Sequence, residues 1–129
     1  MRDIGKLKDN YKFCDEDGGD DIILKIKEDP TTIIYISESY FYEIFGDPPL
    51  HGLGWHGFTR DYQEHKGAFD YFENGNVAEM TNPMEYLEDM MQYKDKSFRY
   101  EETSEVFDLI ADFLGYAIET KQTVIVKVE

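Results

Sequence analysis

The sequence predicts one α+β domain, in which an antiparallel or mixed sheet carries two or three helices on one face. Two adjacent strand patterns at 21–37, an amphipathic pattern at 103–120 and a β-branched run at 123–128 lead to this prediction. The chain has 129 residues, of which 41% are hydrophobic and 16% aromatic. This is about the length of one ordinary domain with enough apolar material for a core, so we expect residues 1–129 to fold as one unit.

Three strand patterns lie in the first third of the chain. Apolar and polar side chains alternate over residues 21–28, and a β-branched run over 31–37 follows a turn at Glu28–Pro30. These two segments predict an antiparallel hairpin. Tyr11–Cys14 is predicted to add a short edge strand.

The middle of the chain has weaker patterns. Residues 38–45 fit either a helix or the end of a strand, residues 51–58 read as a glycine-rich loop around Trp55, and residues 59–66 fit a short helix.

Residues 68–80 have two interpretations. They contain Asn74–Gly75, which is compatible with the tight turn of a hairpin over the whole segment. It is equally compatible with the end of a helix that runs to Glu73. Both alternatives stay open.

The first of two helices in the last third starts near residue 82. Asn82 can act as the N-cap and Pro83 fits the first helical position. Met90 is predicted to face outwards. The residues predicted to face the core share a helical spacing: Met84, Leu87 and Met91.

The second helix is the longest predicted element, at 103–120, and Thr103 or Ser104 can cap it. Residues 97–100 are predicted as a short strand before it, and residues 123–128 as a strand inside the sheet. The helix is amphipathic, with an apolar stripe at helical spacing: Val106, Phe107, Ile110, Phe113, Leu114 and Ala117.

The charges are unbalanced and segregated. The chain has 28 acidic and 13 basic residues, a formal charge of -15. Stretches 13–24, 28–59, 67–93 and 100–120 lack Lys and Arg, and they hold 22 of the 28 acids. Binding of a phosphate backbone needs a basic surface, so we expect no nucleic-acid partner. The acids form either a solvated face or a field that steers a basic partner.

Acidic side chains recur at helical spacing on both predicted helices. On the longer helix they continue the row begun by Glu101, and no cation lies within that helix. Large aromatic side chains dominate many interfaces, which makes the single tryptophan a candidate anchor. The predicted partner-binding residues are Trp55, Glu85, Glu88, Asp89, Glu105, Asp108 and Asp112.

Other chemistry has weaker support. Residues 15–21 do not keep the register of a calcium-binding EF-hand, and the single Cys14 excludes an internal disulfide. An alternative is a small metal-dependent or acid–base enzyme built on the histidine region, although the spacing matches no standard metal site. That region comprises His51, His56, His65, Asp61 and Glu64. We expect no catalytic residue, no metal and no cofactor.

Two segments resemble bacterial immunity proteins of toxin-immunity systems, including contact-dependent inhibition. These segments are GLGWHGFTRDY and SFRYEETSEVFDLIADFL, which share a glycine-aromatic loop before a helix and a strand-to-helix passage with some immunity families. The resemblance spans residues 50–115 and contains no diagnostic motif. It implies a non-enzymatic inhibitor that binds one cognate toxin, commonly a basic nuclease, and covers its active site.

We therefore expect an acidic binding protein that neutralises a basic protein partner, as an immunity protein does. A second alternative is an adaptor or structural subunit that uses its acidic, aromatic surface to form oligomers. No apolar run is long enough for a membrane span and the first residues, MRDIGKLKDN, resemble no secretory signal. We expect a cytoplasmic location and no membrane partner.

Overall fold

The chain folds into a sheet and a layer of helices that covers one of its faces. The computed structural model describes residues 4–15, 19–46, 56–64, 77–80 and 82–129. In these ranges the elements are, in chain order, a 3-10 helix (Ile4–Leu7), β1 (Asn10–Phe13), β2 (Asp21–Ile26), β3 (Asp29–Ser37), α1 (Glu38–Phe45), α2 (Gly57–Glu64), β4 (Ala78–Met80), α3 (Pro83–Met91), α4 (Thr103–Thr120) and β5 (Val124–Val128). The predicted α+β class is confirmed, with four α-helices among the described residues instead of two or three.

The sheet is mixed, and its five described strands have the order β1-β3-β2-β5-β4. β1 runs parallel to β3, and the other neighbours are antiparallel. The predicted hairpin of β2 and β3 is confirmed, but Ile26 pairs with Asp29. The turn is therefore Lys27–Glu28, and Asp29–Pro30 belongs to β3 instead of the turn. The predicted edge strand at the N-terminus and the inner position of β5 are also confirmed.

The core lies between the helices and one face of the sheet. Ile22, Leu24 and Ile26 of β2 are buried, as the alternation predicts, and their cross-strand neighbours on β3 and β5 point to the same side. Ile23 and Ile125 belong to the opposite face. All helices contribute to one continuous hydrophobic cluster with the inner face.

Residues 38–45 form a helix, which settles one of the open alternatives. The Ser37 hydroxyl caps it by accepting the backbone N–H of Ser39 at 3.4 Å. Phe41 and Phe45 are fully buried, and Phe58 of α2 packs against both rings with centroid distances of 5.2 Å. The choice between hairpin and helix at 68–76 lies outside the described residues, as does the predicted loop at 51–55.

The predicted core face of α3 is wrong for its methionines, although Leu87 is partly buried against the core as predicted. Met90 is fully buried, whereas Met84 and Met91 are 44% and 39% exposed. The helix turns a stripe of larger side chains inwards instead: the Tyr86 ring packs on Phe58 at 4.8 Å, and Tyr93, just after the helix, packs on Phe45 at 5.7 Å. Burying two tyrosine rings removes more apolar surface from water than burying two methionines, which sets the orientation.

The predicted stripe of α4 is confirmed, because all six of its residues are buried. Its predicted cap is wrong. Glu102 occupies the N-cap position without a side-chain hydrogen bond to the helix, and Thr103 is the first helical residue, with a buried hydroxyl that has no hydrogen-bond partner among the described residues. Residues 97–100 form no strand, because the backbone N–H of Tyr100 donates to the carboxylate of Glu43.

No helix in the described ranges combines the length and apolar composition needed to cross a membrane.

The orientation of α3 can be tested with a matched pair of methionine variants. Met90→Ala creates a cavity in the core, so it should lower the free energy of unfolding by about 2–5 kcal/mol. Met84→Ala removes an exposed side chain and should change it by less than about 0.5 kcal/mol. Urea unfolding followed by circular dichroism measures both. A larger loss for Met84→Ala than for Met90→Ala would contradict this orientation.

Candidate protein-interaction surface

The exposed side of α4 carries a row of carboxylates. Because the apolar stripe of α4 faces the sheet, Glu105 and Asp108 lie in solvent, and Asp112 is about one-third exposed. Glu101 and Glu102 extend the row beyond the start of the helix. At this end a groove of about 490 Å³ is lined by Lys12, Glu101, Glu102, Ser104, Glu105 and Asp108.

Two lysines from the N-terminal segment neutralise part of the row. Lys12 Nζ of β1 lies 2.9 Å from the Glu105 carboxylate, and Lys6 of the 3-10 helix forms an ion pair with Asp112. The partners are 93 residues apart for the first pair, so no local pattern in α4 indicates them. Two of the three α4 residues predicted to bind a partner are therefore already paired within the chain.

Three carboxylates of the row keep their charge uncompensated. Within the part of the chain that the structure describes, Glu101, Glu102 and Asp108 form no ion pair. Their negative charges accumulate around one groove on the longest helix. Asp108 lies on α4, and Glu101 and Glu102 lie in the turn that leads into it, so the three charges share one place in the fold, as a complementary interface requires.

The acids predicted on α3 have three different environments. Glu88 is exposed. Glu85 is half-buried, lies 2.9 Å from Arg60 Nη1 in an ion pair, and accepts the backbone N–H of Gly57 at 3.3 Å. Of the three, only Glu88 combines exposure with the absence of an ion pair in the described structure.

Asp89 is a correction to the predicted interaction surface, because it is 6% exposed and cannot reach a partner. One carboxylate oxygen accepts the backbone N–H of Thr59 at 3.0 Å and the Thr59 hydroxyl at 2.8 Å. The other accepts the side-chain amide of Gln92 at 2.8 Å. Burial raises the pKa of Asp89, whereas these three hydrogen bonds lower it. The residue holds α2 against α3.

A second buried acid forms the other half of the contact between α2 and α3. The Asp61 side chain is fully buried, accepts two hydrogen bonds from Arg60 on one oxygen at 3.0 and 2.8 Å, and accepts the Tyr86 hydroxyl on the other. Burial and the hydrogen bond to Asp61 raise the pKa of Tyr86, so the phenol stays neutral and remains a donor. The network is fully satisfied, as a buried polar cluster must be.

The start of α2 fits tightly against α3 through Gly57. Its φ of 56° lies in the left-handed region, and a Cβ there would be 2.9 Å from the Cβ of Asp89 and 3.0 Å from the Cα of Tyr86. Only glycine allows this approach. The glycine and the two buried acids together fix where the chain enters α2 from residue 56.

The remaining predicted site residues lie outside the described ranges or at the edge of one of them. Trp55, His51 and His65 are outside the described residues, and so is the side chain of Glu64. His56 is exposed. Among the described residues no group of three histidine, cysteine or acidic side chains is placed to hold a metal ion.

The chain matches no protein-family model, no curated protein and no solved structure.

The contribution of buried Asp89 to stability can be tested against that of its exposed neighbour Glu88 on the same helix. Asp89→Ala leaves the buried N–H of Thr59 without its acceptor and leaves the Thr59 hydroxyl with the Tyr93 hydroxyl alone, so it should lower the free energy of unfolding by about 1–3 kcal/mol. Glu88→Ala removes an equal charge from the surface and should cost less than about 0.5 kcal/mol. Denaturant unfolding at neutral pH makes the comparison, and equal stabilities for the two variants would show that Asp89 does not hold α2.

Proposed function

We propose that this chain is a non-enzymatic inhibitor that binds a basic protein through the carboxylate row at the start of α4. The observation that carries the proposal is the group of three carboxylates, Glu101, Glu102 and Asp108, that form no ion pair with any described residue and lie around one exposed groove. A basic partner would supply the missing counter-charges. Its approach would be accelerated by the field of a chain with a formal charge of -15.

The class of partner follows from the same chemistry. A nuclease presents a basic active-site surface, because it must bind phosphates, and carboxylates on a rigid helix can occupy the positions of those phosphates. We propose that the partner is a nuclease-type toxin and that the chain is its immunity protein. The resemblance of residues 50–115 to immunity families supports this part of the proposal.

The partner can be isolated by its charge. The immobilised protein is exposed to native lysate of the source cells, and bound proteins are eluted with a salt gradient and identified by mass spectrometry. The proposal expects a basic nuclease that elutes at high salt and loses its activity when the chain is added. A retained nuclease that stays fully active in the complex would contradict inhibition.

Charge reversal tests the surface with that nuclease. Asp108→Lys should weaken binding by well over tenfold, because it removes an attraction and adds a repulsion at the groove. The control is Glu79→Lys, which makes the same change in net charge on the opposite face of the sheet, where the Lys27–Glu79 pair is exposed and contributes little to stability. Isothermal titration calorimetry measures both affinities. Equal affinities would exclude α4 as the interface.

Substitution of Lys12 should change the affinity for the partner in the opposite direction. Lys12→Ala frees Glu105 at the groove, so it should tighten binding several-fold at 0.15 M salt. Lys25→Ala makes the same change in net charge on the outer face of the sheet, and should have no effect at this ionic strength, because the Debye length is only about 8 Å. Weaker binding by Lys12→Ala than by Lys25→Ala would contradict the proposed competition between Lys12 and the partner.

A further inference from the structure

A cleft apart from the α4 groove lies beside α1 and takes no part in the contacts described above. It has a volume of about 680 Å³, within the size range of ligand pockets. Its walls are the start of α1, the segment before β2 and the segment between α3 and α4. They are formed by Asp15, Gly19, Asp20, Glu38, Ser39, Tyr42, Glu43, Lys96, Ser97, Arg99 and Tyr100.

Hydrogen bonds join two walls of this cleft, α1 and the segment between α3 and α4. Lys96 Nζ donates to the carbonyl oxygens of Glu43 at 2.9 Å and Ile44 at 3.4 Å, near the end of α1. The backbone N–H of Tyr100 donates to both oxygens of the Glu43 carboxylate, at 3.1 and 3.3 Å. These contacts form the cleft before any ligand arrives, which lowers the entropic cost of binding.

The charge of the cleft favours a cation. Four carboxylates line it against two cationic side chains, and the ammonium of Lys96 is directed to backbone carbonyls. The pKa of the adjacent Asp21 is raised, mainly by burial; the backbone N–H of Asp15 lowers it, and the charges of Asp15 and Asp20 raise it. The net charge of the cleft would repel an anionic ligand and attract a cation.

The aromatic rings and the fixed carboxylate favour a guanidinium over an ammonium. Tyr42 and Tyr100 are 55% and 42% exposed, so their rings are accessible to a flat cation. The guanidinium of Arg99 already lies over one face of the Tyr100 ring, 5.8 Å from its centre, so an incoming guanidinium would stack on Tyr42 or on the other face of Tyr100. The Glu43 carboxylate is held by a single N–H and keeps lone pairs for a two-pronged contact, which arginine makes and lysine does not.

We propose that this cleft binds an arginine side chain, stacked on the tyrosine rings and paired with Glu43. The inference rests on the proposed function, because the arginine belongs to the basic partner protein and gives the interface a second contact point away from α4. It adds an anchored side chain to a surface that otherwise acts by charge alone.

The probe is N-acetyl-arginine N-methylamide, titrated into the ¹⁵N-labelled full chain and followed by two-dimensional NMR. The expected result is saturable shifts of the backbone amides of Tyr42, Glu43 and Tyr100. The citrulline analogue has the same shape without the charge and should shift none of them, and the lysine analogue should bind several-fold more weakly. Equal shifts with citrulline, or no saturable shift in the cleft, would overturn the proposal.

Two variants that remove one negative charge each distinguish binding in the cleft from binding at α4. Glu43→Gln keeps an acceptor for the N–H of Tyr100 but loses the charge, and should weaken the arginine probe at least fivefold. Glu105→Gln should bind the probe as the wild type does, and the spectra themselves report whether each variant is folded. Arginine shifts confined to α4 would overturn the cleft while leaving the proposed function in place. Loss of toxin binding in Asp108→Lys tests that function independently of the cleft.

Discussion

The burial of one face of the sheet beneath the helices is the constraint on which the rest of the structure depends. The alternation in β2 places Ile22, Leu24 and Ile26 on one side, and pairing with β3 and β5 extends that side into a continuous apolar surface. α4 must cover this surface with its stripe of apolar residues. The orientation of α4 then follows, and its charged residues have no position left except the solvent side.

Acids on the solvent side of one helix repel each other, and the fold reduces this repulsion only in part. Lys6 and Lys12 reach α4 from the N-terminal segment and pair with Asp112 and Glu105. Like charges at helical spacing cost a few tenths of a kcal/mol per pair, so the fold tolerates the three acids at the start of α4 that have no ion pair within the described part of the chain. This tolerance makes a strongly acidic interaction surface compatible with a small domain.

The elements defined by local periodicity could be predicted from the sequence, and those defined by distant contacts could not. The strands β2, β3 and β5 and the buried stripe of α4 follow from side-chain alternation within each segment. The methionines of α3 were misassigned because two sets of residues, Met84, Leu87, Met91 and Tyr86, Met90, Tyr93, both recur at helical spacings of three and four residues. The choice between them depends on aromatic partners in α1 and α2. The local sequence predicts a surface position for Asp89, because the residue that donates hydrogen bonds to it, Thr59, lies 30 residues away. The cleft beside α1 also combines residues from distant parts of the chain.

The position of β5 in the sheet has a consequence for biosynthesis. β5 lies between β2 and β4, and β4 pairs with no other strand among the described residues. During translation, the β2–β3 hairpin can form early, but one edge of β2 stays unpaired until residues 124–128 leave the ribosome. An open edge next to a fully apolar face is prone to pairing with other chains. During this interval folding of the nascent protein competes with aggregation, and the interval ends when β5 pairs with β2.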